Sequence, residues 1–263
     1  MGNDMNNFVK AIFFDIDGTL VSHAISDIPK GVLESFSQMQ KRGIRLFLAT
    51  GRHISEFKSL PLHDYPFDGY VTQTGQICYD RDFNLVCEEA LTDEDTKILT
   101  RLFDEKEIPI VLLNQDSLYI NFVNKVVVDT QEKINTLIPK IDTYHGEKLF
   151  GAKVFGTADQ TAYIAAQLPG CKESSWNRYA SDIVLKEAGK VRGIKRMLEQ
   201  YGIDQKETMA FGDAENDIDM IRFAQIGVAM GNAANVLKSS SDYVTASVDD
   251  DGILKALAHY ELI

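Results

Sequence analysis

The chain has 263 residues, 44% of them hydrophobic and 25% charged, with a net charge of −12. That length can bury a proper core, as one large domain or two modest ones. The acidity excludes nucleic acid as a natural partner, because phosphate backbones are held by Lys/Arg stripes. It also makes any anionic ligand depend on local positive charge from a metal, a lysine or helix amino ends.

No segment approaches the apolar length needed to span a bilayer. Met1 to Asn7 is polar and the apolar run behind it is too short for a signal peptide. The three cysteines (Cys78, Cys87 and Cys171) are odd in number and form no CxxC pair, which points to a reduced compartment and a cytoplasmic protein. The five histidines (His23, His53, His63, His145 and His259) lack metal-ligand spacing, so a zinc site is not expected.

Val9 to Phe14, interrupted only by Lys10, has the composition of a buried strand in a parallel sheet. It delivers Asp15 and Asp17 to one point, since residues two apart on an extended chain lean the same way. Gly18 permits a sharp turn and Thr19 offers a hydroxyl. Two acids side by side repel unless a cation or a proton compensates; an Asp-rich turn is the plainer alternative.

A polar connector, Val21 to Pro29, leads to a helix over Lys30 to Arg42, with apolar residues at Val32, Leu33, Phe36 and Met39 and Gly43 as its stop. Ile44 to Ala49 is a second buried strand, ending at Thr50-Gly51-Arg52. His53 to Leu60 reads as a short helix and Gly69 to Thr74 as a third strand. Strand, helix, strand, helix, strand implies a parallel sheet with right-handed crossovers. Ligands of such sheets sit outside the carboxyl ends of the strands, which is where Asp15 and Thr50 fall.

The pattern then changes. Ile77 to Leu85 is a strand and turn, and Thr92 to Glu107 a helix. Ile110 to Leu113 and Ser117 to Phe122 are two strands joined by a polar turn. Gln131 to Ile141 is expected as a helix, Lys148 to Phe155 as a strand, Thr157 to Gln167 as a helix, and Cys171 to Leu185 as extended. Residues 79–184 thus form an α+β unit inserted into a core made of 1–78 and 185–263.

The parallel pattern resumes with an amphipathic helix from Lys190 to Tyr201 and a strand from Thr208 to Gly212, followed by Asp213-Ala214-Glu215-Asn216-Asp217. Ile218 to Ala224 is a helix, Ile226 to Met230 a strand, Ala233 to Ser239 a helix, Tyr243 to Thr245 the last strand and Gly252 to Leu262 the closing helix. Asp249-Asp250-Asp251 is placed to favour the amino end of that helix.

Four groups now fall at strand ends or helix starts of one sheet: Asp15-x-Asp17-Gly18-Thr19, Thr50-Gly51-Arg52, Lys190, and Gly212-Asp213-x-x-Asn216-Asp217. With them the sequence resembles the haloacid dehalogenase superfamily, and most closely its Cof-like phosphatases, which carry a large α/β cap after the third core strand. The resemblance covers the whole chain. It implies a Rossmann-like α/β core, a mobile cap, Mg2+, and hydrolysis of small phosphorylated metabolites, sugar phosphates foremost, through a phosphoaspartyl intermediate. Carried onto this sequence, Asp15 is the nucleophile, Asp17 the general acid/base, and Thr50 and Lys190 the phosphate clamp. Asp213 joins Asp15 and the backbone carbonyl of Asp17 as a magnesium ligand, Asn216 and Asp217 complete the acidic loop, and Gly51 adjoins the phosphate. One departure is Thr74-Gly75-Gln76, where relatives often have Asn-Gly-Ala.

The chemistry agrees with these roles. Phosphoryl transfer asks a protein mainly to position groups and neutralise charge. A hard cation suits paired carboxylates, and an acyl phosphate on Asp15 splits one hard step into two. Asp17 favours hydrolysis, because related phosphoaspartate ATPases carry Thr at that place. Plainer readings exist: a solvated Lys190, helix-capping Asp213 and Asp217, a strand-closing Thr50 and Arg52, and Trp176 as core rather than, with Arg178, facing substrate. The functional alternatives are a phosphomutase of the same superfamily and a receiver-type regulatory module. A slowly hydrolysed phosphoaspartate would distinguish the receiver.

Overall fold

A computed structural model describes residues 8–22, 24–25, 27–57, 60–134 and 136–263. His23, the polar start at Met1 to Asn7, and positions 58–59 of the expected second helix lie outside the described residues. The chain divides into two compact units. One runs up to Arg52 and includes Glu56–Glu88 and Gly189–Ile263; the other is His53–Ser55 with Glu89–Ala188.

The first unit is built on an eight-stranded sheet. Its strands are β1 (Ala11–Phe14), β2 (Arg45–Ala49), β3 (Gly69–Thr72), β4 (Ile77–Asp80), β5 (Leu85–Glu88), β12 (Thr208–Gly212), β13 (Ile226–Ala229) and β14 (Tyr243–Val244). The spatial order is β14-β13-β12-β1-β2-β3-β4-β5. The six strands from β14 to β3 are parallel, and β4 and β5 add an antiparallel edge. All four residues of β1 are buried, as a run apolar on both faces requires. Phe13 stacks on Phe47 of β2, and Phe14 on Phe211 of β12. Each such buried ring contributes about 1.5–3 kcal/mol.

Helices cover both faces. In α1 (Val32–Lys41) the buried residues are Val32, Ser35, Phe36 and Met39, and in α6 (Lys190–Tyr201) they include Ile194, Met197 and Leu198. The α6 residues pack with Phe13, Phe47, Val71 and Ala210 in one cluster. Gly202, in the left-handed region at φ 63°, closes α6. In this arrangement β1 is the switch point, because the chain goes from β1 to β2 on one side and later returns to β12 on the other.

The second unit has a six-stranded sheet in the order β10-β11-β9-β6-β7-β8. These strands are β6 (Ile110–Leu113), β7 (Leu118–Ile120), β8 (Lys140–Ile141), β9 (Gly151–Phe155), β10 (Cys171–Asn177) and β11 (Ala180–Leu185). The helix α3 (Asp93–Glu105) is capped by Thr92, whose side chain accepts from the Asp95 N–H. A second helix, α5 (Ala158–Ala166), starts with a Thr157/Gln160 capping box. Both pack on one sheet face around Leu99, Phe103, Ala152 and Ile164.

Three expectations are corrected. The helix expected at Gln131 to Ile141 lies earlier, as α4 (Lys125–Lys133), and Lys140–Ile141 is a strand paired parallel with β7. Asn124 decides this, accepting from the Val127 N–H as a cap that outweighs the β-branched run behind it, while Pro139 bars the later segment. Residues 79–88, expected in the insert, complete the β4–β5 hairpin of the first sheet. Trp176 is 39% exposed rather than core, its indole N–H donating to Asp182.

The acidic run at 249–251 also works differently from a simple helix-end charge. Asp249 accepts from the Ser22 hydroxyl and Asp250 from that of Ser247. Asp251 precedes α9 (Gly252–His259) at φ 58° without a side-chain cap.

Candidate active site

The carboxyl ends of β1, β2 and β12 and the amino end of α6 carry the polar groups singled out from the sequence. Lys190 is the first residue of α6 and is 0% exposed, which removes the solvated-lysine reading. Its ammonium donates to Asp15 Oδ1 and to Asp217 Oδ1, each at 2.5 Å. Burial alone would lower its pKa, but Asp15 and Asp217 outweigh that and the pKa is raised. The amino end of α6 has Gly189 in the cap position with no side-chain cap of its own. The Asp219 carboxylate, from α7 (Ile218–Phe223), lies against Gly189.

Asp217 is fully buried and serves the fold as well as Lys190. Its Oδ2 accepts from the N–H groups of Asp213 and Ala214, both at 3.0 Å, closing the loop after β12. Asp213 therefore does not cap the helix. One of its oxygens accepts from the Thr19 hydroxyl at 3.2 Å, and the other lies 3.4 Å from the Asn232 amide. Oxygens of Asp15, Asp213 and Asp217 lie within 4.8 Å of one another. Asn216 is exposed on the short turn between them.

Thr50 is buried at the end of β2, and its hydroxyl accepts from the Arg52 N–H at 3.1 Å. Gly51 lies between them, its Cα facing the Thr74 hydroxyl. The Thr74 N–H donates to Thr50 O, and the Gln73 N–H to Arg52 O. The departure at Thr74-Gly75-Gln76 is thus a local strained turn: Gln73 and Thr74 sit at φ 47° and 55°, unusual for non-glycine residues and most of all for a β-branched one. Gly75, at φ 85°, meets the carbonyl of Gly189, and a Cβ there would overlap it.

Asp17 is partly exposed and bound at both oxygens by Arg52, Nε to Oδ2 at 2.6 Å and Nη2 to Oδ1 at 2.7 Å. Burial works against the Arg52 charge, Asp17 more than offsets it, and its pKa is raised. Arg52 was given no role from sequence. Asn232 was missed outright: its amide donates to Gly18 O at 2.8 Å and its oxygen accepts from the Val248 N–H. Its position just after a buried parallel strand, β13, was the available signal.

The residues fit a divalent cation. Four carboxylates (Asp15, Asp17, Asp213 and Asp217) face two cations, Lys190 and Arg52, leaving two negative charges uncompensated. Burial pushes the Asp15 carboxyl well above its usual range against the pull of Lys190, with Asp217, Asp17 and Asp213 adding to the rise. Asp213 is pushed up to about 7, by burial and then by Asp217. Carboxylates this reluctant to ionise together gain from a hard cation with oxygen preference. Asp217 is fully buried and accepts from Lys190 and two backbone N–H groups. Among the described residues Asp15 accepts from Lys190 alone, and the half-buried Asp213 from two side chains at 3.2 and 3.4 Å, so Asp15 and Asp213 are the better placed pair.

Gly18 gives a test of that pair. It sits at φ 82°, and a Cβ there would overlap the Asp213 carboxylate, which would have to shift away from its places beside Thr19 and Asn232. Gly18→Ala is expected to weaken Mg2+ binding by about 10–100-fold, the usual effect of disturbing the surroundings of a metal ligand. Calorimetric titration of Mg2+ checks it, and unchanged affinity would mean that Asp213 is not a ligand.

Comparison with known proteins matches residues 12–257 to the haloacid dehalogenase-like hydrolase family. A Bacillus subtilis relative named "Putative phosphatase YkrA" is 30% identical over 258 residues, covering 97% of this chain and 98% of the relative. A solved structure described as a subclass IIB sugar phosphatase of the same superfamily is 31% identical, with a TM-score of 0.85 over 97% of this chain and all of the other. A phosphatase of the superfamily from Bacteroides thetaiotaomicron gives a TM-score of 0.89 at 25% identity, over 100% of this chain and 99% of that one.

Proposed function

We propose, for a chain that belongs to the haloacid dehalogenase-like hydrolases and whose relatives are named phosphatases, a Mg2+-dependent phosphatase that works through a phosphoaspartate on Asp15. The observation that carries this reading is the buried Asp15–Lys190–Asp217 bridge with Asp213 beside it. It puts a carboxylate that can attack phosphorus next to fixed positive charge. Asp15, Asp213 and the Asp17 carbonyl would hold the metal. When bound, Mg2+ neutralises the charge that would otherwise keep a phosphate away from Asp15.

An Asp15 oxygen attacks phosphorus as the bond to the leaving oxygen breaks, and the departing alkoxide takes a proton from Asp17. Asp17, now a carboxylate, accepts a proton from water as that water attacks the phosphoaspartate. The bond from phosphorus to Asp15 breaks, and inorganic phosphate and free Asp15 result. Lys190 sets the orientation of Asp15 and offers its charge to the transferring group, while Thr50 and the backbone at Gly51 hold its oxygens. Asn216 and Asp217 belong to the loop that carries Asp213.

The substrate class is a small phosphorylated metabolite, and a sugar phosphate in keeping with the described subclass IIB relative. Choice of substrate is assigned to the inserted unit, Glu89–Ala188. Among the described residues no helix is long and apolar enough to cross a membrane. Cys78, Cys87 and Cys171, none of them in a disulfide, suit a reducing cytoplasm.

The test is a rapid acid quench during turnover of a sugar phosphate with Mg2+, followed by peptide mass spectrometry. Phosphate is expected on the peptide containing Asp15, and chelation with EDTA is expected to remove both the adduct and turnover. Full turnover without any adduct on that peptide at any quench time would reject the mechanism.

A further inference from the structure

The structure assigns Arg52 as the positioning residue of Asp17, acting through the carboxylate rather than on the substrate. The inference rests on the reading of Asp17 as the proton shuttle. Asp17 has reason to leave its place: it is one of four acids in the cluster, and its side chain is 35% exposed, so solvent offers a way out. Arg52 closes that way out. Its fork takes one carboxylate oxygen on Nε and the other on Nη2, which fixes both the position and the plane of the group.

The grip is useful only if its own origin is fixed, and it is. The Arg52 N–H donates to the Thr50 hydroxyl, and the Arg52 carbonyl accepts from Gln73, one of two adjacent non-glycine residues held at positive φ. Thr74, the other, ties back to the Thr50 carbonyl, and Gly75 rests against the Gly189 carbonyl beside Lys190. One strained turn therefore braces the residue that holds the phosphate, the residue that aims the proton shuttle, and the start of the helix that bears the lysine. Local strain of this kind persists when its surroundings over-determine it.

A two-point fork predicts more than a nearby charge would. Arg52→Ala is expected to lower kcat about 10–100-fold, a fraction of what general acid/base catalysis contributes, with KM changed less than about threefold. Arg52→Lys returns a point charge without the fork and is expected to recover only part of the loss. The decisive comparison is a double-mutant cycle with Asp17→Asn. In that background Arg52→Ala is expected to change kcat less than about twofold.

Several results would overturn the assignment: equal losses in both backgrounds, an effect carried by KM, full recovery by lysine, or no effect of Arg52→Ala. Melting temperatures of all variants keep a folding defect from passing as a catalytic one. Wild-type turnover by Asp17→Asn alone would instead reject the shuttle reading on which the inference stands.

Discussion

Asp15→Asn is expected to lower turnover by at least about a thousandfold and to leave the melting temperature, measured without metal, unchanged or higher. The catalytic loss follows because an amide oxygen is a poor nucleophile toward phosphorus and cannot carry a stable acyl phosphate. The stability expectation follows from charge. Asp15 is buried among Asp17, Asp213 and Asp217, with two cations against four acids, so removing one acid relieves repulsion. Lys190 keeps Asp217 as partner, and the Asp15 N–H stays bonded to the Phe211 carbonyl whatever the side chain. Steady-state hydrolysis of a phosphate monoester and thermal melts followed by circular dichroism measure both. The preparation needs a mass check for deamidation, which would regenerate aspartate. Retained turnover in an undeamidated sample would exclude Asp15 as the nucleophile.

Much of this site was legible because it lies where a parallel sheet must put it. The apolar run before Asp15, the strand before Thr50 and the strand before Asp213 each announce a buried parallel strand. The carboxyl ends of such strands meet at the switch point. Lys190 was legible as a helix start but not as a buried bridge, because burial of a lysine depends on which acids the fold brings to it. Arg52 went without a role for the same reason: a pairing across 35 residues leaves no local pattern. Asn232 belonged to the same logic as Asp213 and was overlooked because Asn after a strand reads first as a turn. The misplaced helix near Gln131 shows a different limit. There β-branched Val126, Val127 and Val128 argue against a helix that the Asn124 cap nevertheless starts.

Lys190→Ala is expected to cost both activity and stability, unlike the change at Asp15. The ammonium is 0% exposed and bridges two carboxylates, one of them, Asp217, also fully buried. Removing it leaves charge unpaired inside the protein, at a cost of about 3–5 kcal/mol. For a chain of this size that lowers the melting temperature on the order of 10 °C. Asp217 also holds the N–H groups of Asp213 and Ala214, so displacing it loosens the loop that presents Asp213. Mg2+ should therefore recover part of the lost melting temperature in the variant and add less to the wild type, because a divalent cation serves carboxylates that the lysine has left. Turnover should stay low at saturating Mg2+, since the ion replaces the missing charge but not the bond that orients Asp15. Lys190→Arg is expected to do no better, as a planar guanidinium finds no room at a fully enclosed position. Melting curves with and without Mg2+, run beside kcat, separate these effects. Unchanged melting in Lys190→Ala would mean that the two acids find other compensation, and the charge balance assigned to the cluster would be wrong.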